Sequence, residues 1–142
     1  MSIVVYFELE KGKERVLKAL PSQIVIHWAS DLQSCMTLAS EPSCTGVILG
    51  VYFSKGTVFE FVSAIKNKHS SLPVVCCCSY LARSSKWDTP IEIACKVLGA
   101  SGYISYEKFY GVNFVAELAA HFAEIAQQSE VVIANDTARQ YD

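Results

Sequence analysis

Long apolar runs are missing from this chain; none approaches the ~20 residues that a membrane-crossing helix needs. Charge is scarce and almost balanced. Twelve Lys and Arg stand against 14 Asp and Glu, for a net charge of −2. That excludes the basic excess or stripe typical of a nucleic-acid binder. No C-x-x-C pair occurs, so zinc ribbons and thioredoxin-type redox motifs lose their basis. The first residues, MSIVVYFELEKGK, turn acidic after a few apolar positions. They read as no secretory leader. No internal repeat, charge block or low-complexity segment is present.

What remains is 142 residues, 51% of them hydrophobic. That is one domain's worth of chain, apolar enough for a full core. Six cysteines are present, at 35, 44, 76, 77, 78 and 95. Three are consecutive inside an apolar run. Adjacent cysteines on an extended strand are poorly placed to pair. The expectation is a reduced, cytoplasmic protein whose cysteines pack as small hydrophobes. Cys78, at a strand end, is the one to test for reactivity.

Apolar runs alternate with helical patterns five times. Strands are predicted at Ile3–Phe7, Gln23–Ala29, Thr45–Phe53, Leu72–Ser79 and Gly102–Ser105. Helices are predicted between them. Lys11–Leu20 places Val16, Leu17 and Leu20 inward. Ser30–Gln33 reads as a capping box opening a helix to about Ser40, and Thr57–Glu60 as a second. Behind Thr57, Val58, Phe61, Val62 and Ile65 form one apolar stripe. Thr89–Glu92 starts another helix, with Pro90 in its first turn and Gly99 as its left-handed cap. A last helix over 113–128 carries Val115, Leu118, Phe122 and Ile125. Residues 129–142 read as a polar tail or linker.

Strands followed by crossover helices must be parallel. The pattern predicts a flavodoxin-like (βα)5 three-layer sandwich with strand order 2-1-3-4-5. Ligand chemistry in such sheets sits at the C-terminal strand ends.

Two stretches carry a resemblance. Thr45–Tyr80 contains GVILGVYF, an F-E-F helix start and P-V-V entering the fourth strand. Leu98–Ser105, LGASGYIS, is similar to a G-A-x-G-Y-L stretch entering the fifth. Over residues 1–128 the chain resembles a response-regulator receiver domain. That resemblance implies an acidic pair ending the first strand to hold Mg²⁺, an Asp acceptor ending the third, a Ser or Thr ending the fourth and a Lys ending the fifth. Here those positions fall on Phe7 and Glu8, on Gly50, on Cys78 and on Tyr106. No Asp or Glu lies between Pro42 and Phe59 to rescue the acceptor by a shift of register. Tyr103 takes the position of the fifth-strand aromatic switch residue. The resemblance therefore implies a pseudo-receiver with no catalytic residues, no metal and no cofactor.

The leading expectation is a protein–protein interaction or dimerisation module in signal transduction or transcription control. It would be a homodimer or dock on a signalling partner, without direct nucleic-acid contact or membrane association. Candidate contact residues are Trp87, Tyr106, Phe109, Tyr110, Phe114 and His121, since aromatics are typical anchors. Two of Tyr103, Tyr106, Phe109 and Tyr110 would be core under the plainer reading. One alternative is a ligand sensor binding a small molecule at the former phosphorylation pocket. Another is a small flavodoxin-like enzyme or cysteine phosphocarrier using Cys78, disfavoured because residues 80–85 hold no Gly to cradle a phosphate. Glu8 and Glu10, two apart, form at most a residual cation site. His27 reads as a buried strand histidine.

Overall fold

The computed structural model describes residues 2–51, 57–79 and 88–121. Its elements are β1 (Ser2–Tyr6), α1 (Glu10–Ala19), β2 (Val25–Trp28), α2 (Leu32–Ala39), β3 (Cys44–Val51), α3 (Thr57–Lys68), β4 (Val74–Cys78), α4 (Asp88–Val97), β5 (Gly102–Ile104) and α5 (Tyr106–Tyr110). A further helix, α6, covers 114–121. The five strands form one sheet in the order β2-β1-β3-β4-β5, every pairing parallel. This is the flavodoxin-like order read from the alternation of strands and helices.

The alternation of side chains along each strand divides the core in two. Val4, Val47, Leu49, Val74, Cys76 and Tyr103 face one way, against Cys35 and Ala39 of α2, the α3 stripe and Cys95 of α4. Ile3, Val5, Ile48, Val75, Cys77 and Ile104 face the other, against Val16 of α1, its C-cap residue Leu20, and Phe109, Phe114 and Leu118. A sheet covered on both faces explains why β4 reads VVCCC, buried at every position. The predicted stripe of Val58, Phe61, Val62 and Ile65 is buried throughout. Gly99 has φ +112°. Its N–H bonds the Lys96 carbonyl and the Ala100 N–H bonds the Cys95 carbonyl. That pair is a Schellman end to α4, and it needs the left-handed residue that Gly supplies.

Local details differ from the sequence reading. The α2 cap is Asp31, not Ser30. Its carboxylate accepts the Ser34 N–H at 2.7 Å, and Ser34 Oγ accepts the Asp31 N–H at 3.1 Å. A shorter reciprocal pair does the work expected of Ser30 and Gln33. Thr57 is itself helical, so the cap preceding α3 lies outside the described residues. Leu17 is exposed; Val16 and the C-cap residue Leu20 are the inward residues at this end of α1. Val115 is exposed too; Phe114 and Leu118 are the inward residues of α6. Phe122, Ile125 and the tail at 129–142 lie outside the described residues. α5 is a helix of five residues that no apolar period in the sequence announces. His27 is half-buried on an edge strand rather than enclosed. Among the described residues, no helix is long and apolar enough to cross a membrane.

Candidate functional site

The C-terminal ends of β1, β3 and β4 converge with the turn that follows β5. Phe7, directly after β1, is buried at 2% exposure and points to the α1 side. A Cβ added to Gly50 would lie 2.5 Å from Phe7 Cδ1 and 2.9 Å from Cγ. A Cβ at Gly12 of α1 would strike the same ring. The aromatic ring therefore fills the space over the end of β3, and two glycines make room for it. Gly within a helix costs roughly 0.5–1 kcal/mol against Ala; at Gly12 that cost accommodates the ring.

Of the five positions singled out by the resemblance, the structure brings two into direct contact. Phe7 and Gly50 meet. Glu8 turns to solvent and accepts a hydrogen bond from the Tyr6 hydroxyl at 3.2 Å. Tyr6 also packs on Phe61, with ring centroids 4.6 Å apart. Burial, then the Glu8 charge, pushes the Tyr6 hydroxyl up to about 12. Glu10 sits in the first turn of α1, 3.5 Å from Lys13 Nζ. Among the described residues, no group of three metal-type side chains gathers.

Cys78 is fully buried, as are Cys35, Cys76, Cys77 and Cys95, and none of the six cysteines is in a disulfide. Cys76 and Cys78 face the α2–α4 side and Cys77 the opposite one. Burial raises the Cys35 thiol to about 12 and carries Cys77 higher still. A hydrogen bond to Cys95, with burial, holds the Cys76 proton, and the same bond lowers Cys95. The packing role expected of the cysteine run is what the structure shows. Enclosure of Cys78 works against its use as a nucleophile, which must be an accessible thiolate.

The aromatic cluster divides as the plainer reading supposed. Tyr103 and Phe109 are core; Tyr106 and Tyr110 are half-buried, their rings 4.7 Å apart. Phe114 is also core. Phe109 and Phe114 are therefore enclosed rather than available at a surface. The Tyr110 hydroxyl donates to the Ser79 carbonyl at 2.9 Å, tying α5 to the end of β4. His121 is half-buried, its ring over Gly102, where a Cβ would strike it. Trp87 lies outside the described residues.

Sequence reasoning missed Arg15. From α1 its Nε donates to the Phe109 carbonyl at 2.8 Å and its Nη2 to the Gly111 carbonyl at 3.4 Å. The guanidinium lies 5.0 Å from the Tyr110 ring centre, 5.6 Å from that of Phe114 and 5.7 Å from that of Phe109. A signal was present in part. Glycine inside a helical pattern marks a close approach, and Gly12 lies one turn from Arg15.

No family model and no curated protein matches the chain. Solved structures do. NtrX from Brucella abortus superimposes with a TM-score of 0.71 at 17% identity, over 92% of this chain and 29% of that one. A response regulator receiver protein from Pseudoalteromonas atlantica gives 0.70 at 15% identity, over 91% and 99%. This is the receiver-domain fold. HP1043, an orphan response regulator of H. pylori, gives 0.62 at 20% identity, over 85% and 95%. The chain thus spans under a third of NtrX but nearly the whole of the Pseudoalteromonas atlantica structure.

Proposed function

We propose that the chain is a pseudo-receiver, a receiver fold that takes no phosphoryl group and acts through protein–protein contact in signalling or transcription control. The observation that carries this is Phe7 seated on Gly50. Position 50 carries no side chain, and the space a side chain there would take is filled by an aromatic ring. The same filling argues against a small-molecule sensor at this position. Phosphoryl transfer through an aspartate would need carboxylates and a divalent cation around the acceptor. Only Glu8 remains of the acidic positions, and it points to Tyr6.

An exposed apolar pair supports contact through the α4 side. Ile93 and Val97, one turn apart on α4, are 58% and 79% exposed. Tyr106 and Tyr110 are the half-exposed members of the aromatic cluster, and His121 borders β5. Tyr106, Tyr110 and His121 stay among the proposed contact residues and Ile93 and Val97 join them, with a second copy or a signalling protein as the partner.

Two measurements test the reading. Intact mass after incubation with acetyl phosphate and Mg²⁺ should be unchanged; an aspartyl phosphoryl adduct overturns it. Sedimentation across a concentration series should show a dimer weakened by Val97→Glu and by Tyr106→Ala. A strictly monomeric chain would leave only a heterologous partner.

A further inference from the structure

We propose that Phe7 is a built-in latch: its ring, seated on Gly12 and Gly50, holds residues 105–114 in one arrangement through Phe109, with no bound solute needed. The inference does not rest on the interaction reading above. It concerns how one part of the chain fixes another.

The argument begins with α5. It has five residues, Tyr106–Tyr110. A single helical turn has no stability of its own, because nucleation costs more than one turn returns. Its order must be imposed from outside. Ser105 Oγ accepts the Lys108 N–H at a long 3.4 Å, a weak cap. The strong restraints come from elsewhere. Phe109 is fully buried and stacks on Phe7, centroids 6.0 Å apart and planes 25° apart. Phe109 also meets Phe114 edge-on at 4.6 Å. Arg15 closes the outer side, bonding the carbonyls of Phe109 and Gly111.

Phe7 occupies the inner end of this stack. The backbones of β3 and α1 come close enough to pin the ring only because positions 50 and 12 carry no Cβ. Phe7 and Arg15 thus both hold Phe109, and α1 contributes to both contacts, through Gly12 and Arg15. The arrangement at the sheet end reaches the turn after β5 by direct contact, so filling that end and ordering α5 are one event.

Amide hydrogen exchange on the whole chain tests this. The Phe109 N–H bonds the Ser105 carbonyl at 2.8 Å and the Phe114 N–H bonds the Gly111 carbonyl at 3.4 Å, so both report on the segment. Phe7→Leu keeps an apolar side chain but no ring to stack. It should speed exchange at Phe109 and Phe114 by about tenfold or more, while Ile48 and Cys76 in the central strands slow or quicken far less, the mark of local rather than global opening. Arg15→Gln loosens the second contact and should give the same local pattern. Gly50→Ala, whose Cβ would displace the Phe7 ring, should do likewise and decides the matter if Phe7→Leu does not fold. Unchanged exchange at Phe109, or a rise matched at Ile48 and Cys76, overturns the proposal and leaves Phe7 as ordinary core.

Discussion

The Phe7 ring and Gly50 share one space: a Cβ at position 50 would lie 2.5 Å from Cδ1 of the ring. Contacts that close do not occur between ordinary side chains, so any residue other than glycine at 50 must displace Phe7 or move β3.

That relationship sets the first prediction. Gly50→Ala should lose roughly 1–3 kcal/mol, the usual cost of overpacking a dense core. In a Phe7→Ala background the same change should cost far less, because the obstacle is gone. Urea unfolding of the two single variants and the double variant measures this coupling. Additive losses would show that the two residues do not compete.

Gly50→Asp should be more damaging than Gly50→Ala, since it adds a carboxylate against an aromatic face. It should also stay unphosphorylated by acetyl phosphate with Mg²⁺. Phe7 and Tyr106 remain, and a hard cation wants about six oxygens. Intact mass of the folded variant is the readout, and a phosphoryl adduct would contradict the account.

Arg15→Ala should cost about 2 kcal/mol. Two hydrogen bonds from a charged donor and an attraction to aromatic faces are lost together. Arg15→Lys should recover less than half of that, because an ammonium cannot reproduce the planar fork that reaches both carbonyls. Full recovery by Lys in denaturant titrations would reduce the interaction to simple charge.

Tyr110→Phe removes only the hydroxyl that reaches the Ser79 carbonyl. A loss of about 1 kcal/mol is expected for one such bond. The loss should appear in denaturant midpoint with an unchanged slope, since the exposed area on unfolding hardly changes.

Stability should fall at alkaline pH. The folded chain holds the Cys35 proton to about 12 against an ordinary 9.0, and that of Tyr6 to about 12 against 10.0. Between those values the unfolded chain releases protons that the folded chain keeps. Their contribution is therefore complete below the ordinary value and is lost as pH rises through the window. Denaturant midpoints should be level near neutrality and decline above about pH 9. Cys35→Ala should flatten the decline, and an unaltered slope would remove Cys35 from the account.

Much of this was legible in the chain. The sheet order followed from five apolar runs separated by helical patterns, because strand burial and crossover handedness leave few alternatives. The α3 stripe and Gly99 were readable because each rests on local geometry, a helical period and a left-handed turn. The candidate site was legible only through the resemblance, as positions whose residues depart from the receiver pattern. Sequence shows that Gly50 has no carboxylate, but not that Phe7 lies over it, since that contact joins two strand ends far apart in the chain. Arg15 was invisible for the same reason. Its partners lie 94 and 96 residues away, and no period links them. Leu17 and Val115 were misread because a helix face in contact with a sheet is narrower than the apolar positions on offer.

The lengths of the outermost strands bear on how such molecules meet. β2, at one margin of the sheet, has four residues, and β5, at the other, has three. A short margin offers another chain few unpaired backbone groups to extend. Val25 and Trp28 make the β2 margin apolar, yet four residues give little length for a foreign strand to grip. Among the described residues, neither margin therefore gives a foreign strand a long template, which works against strand-by-strand polymerisation at high local concentration.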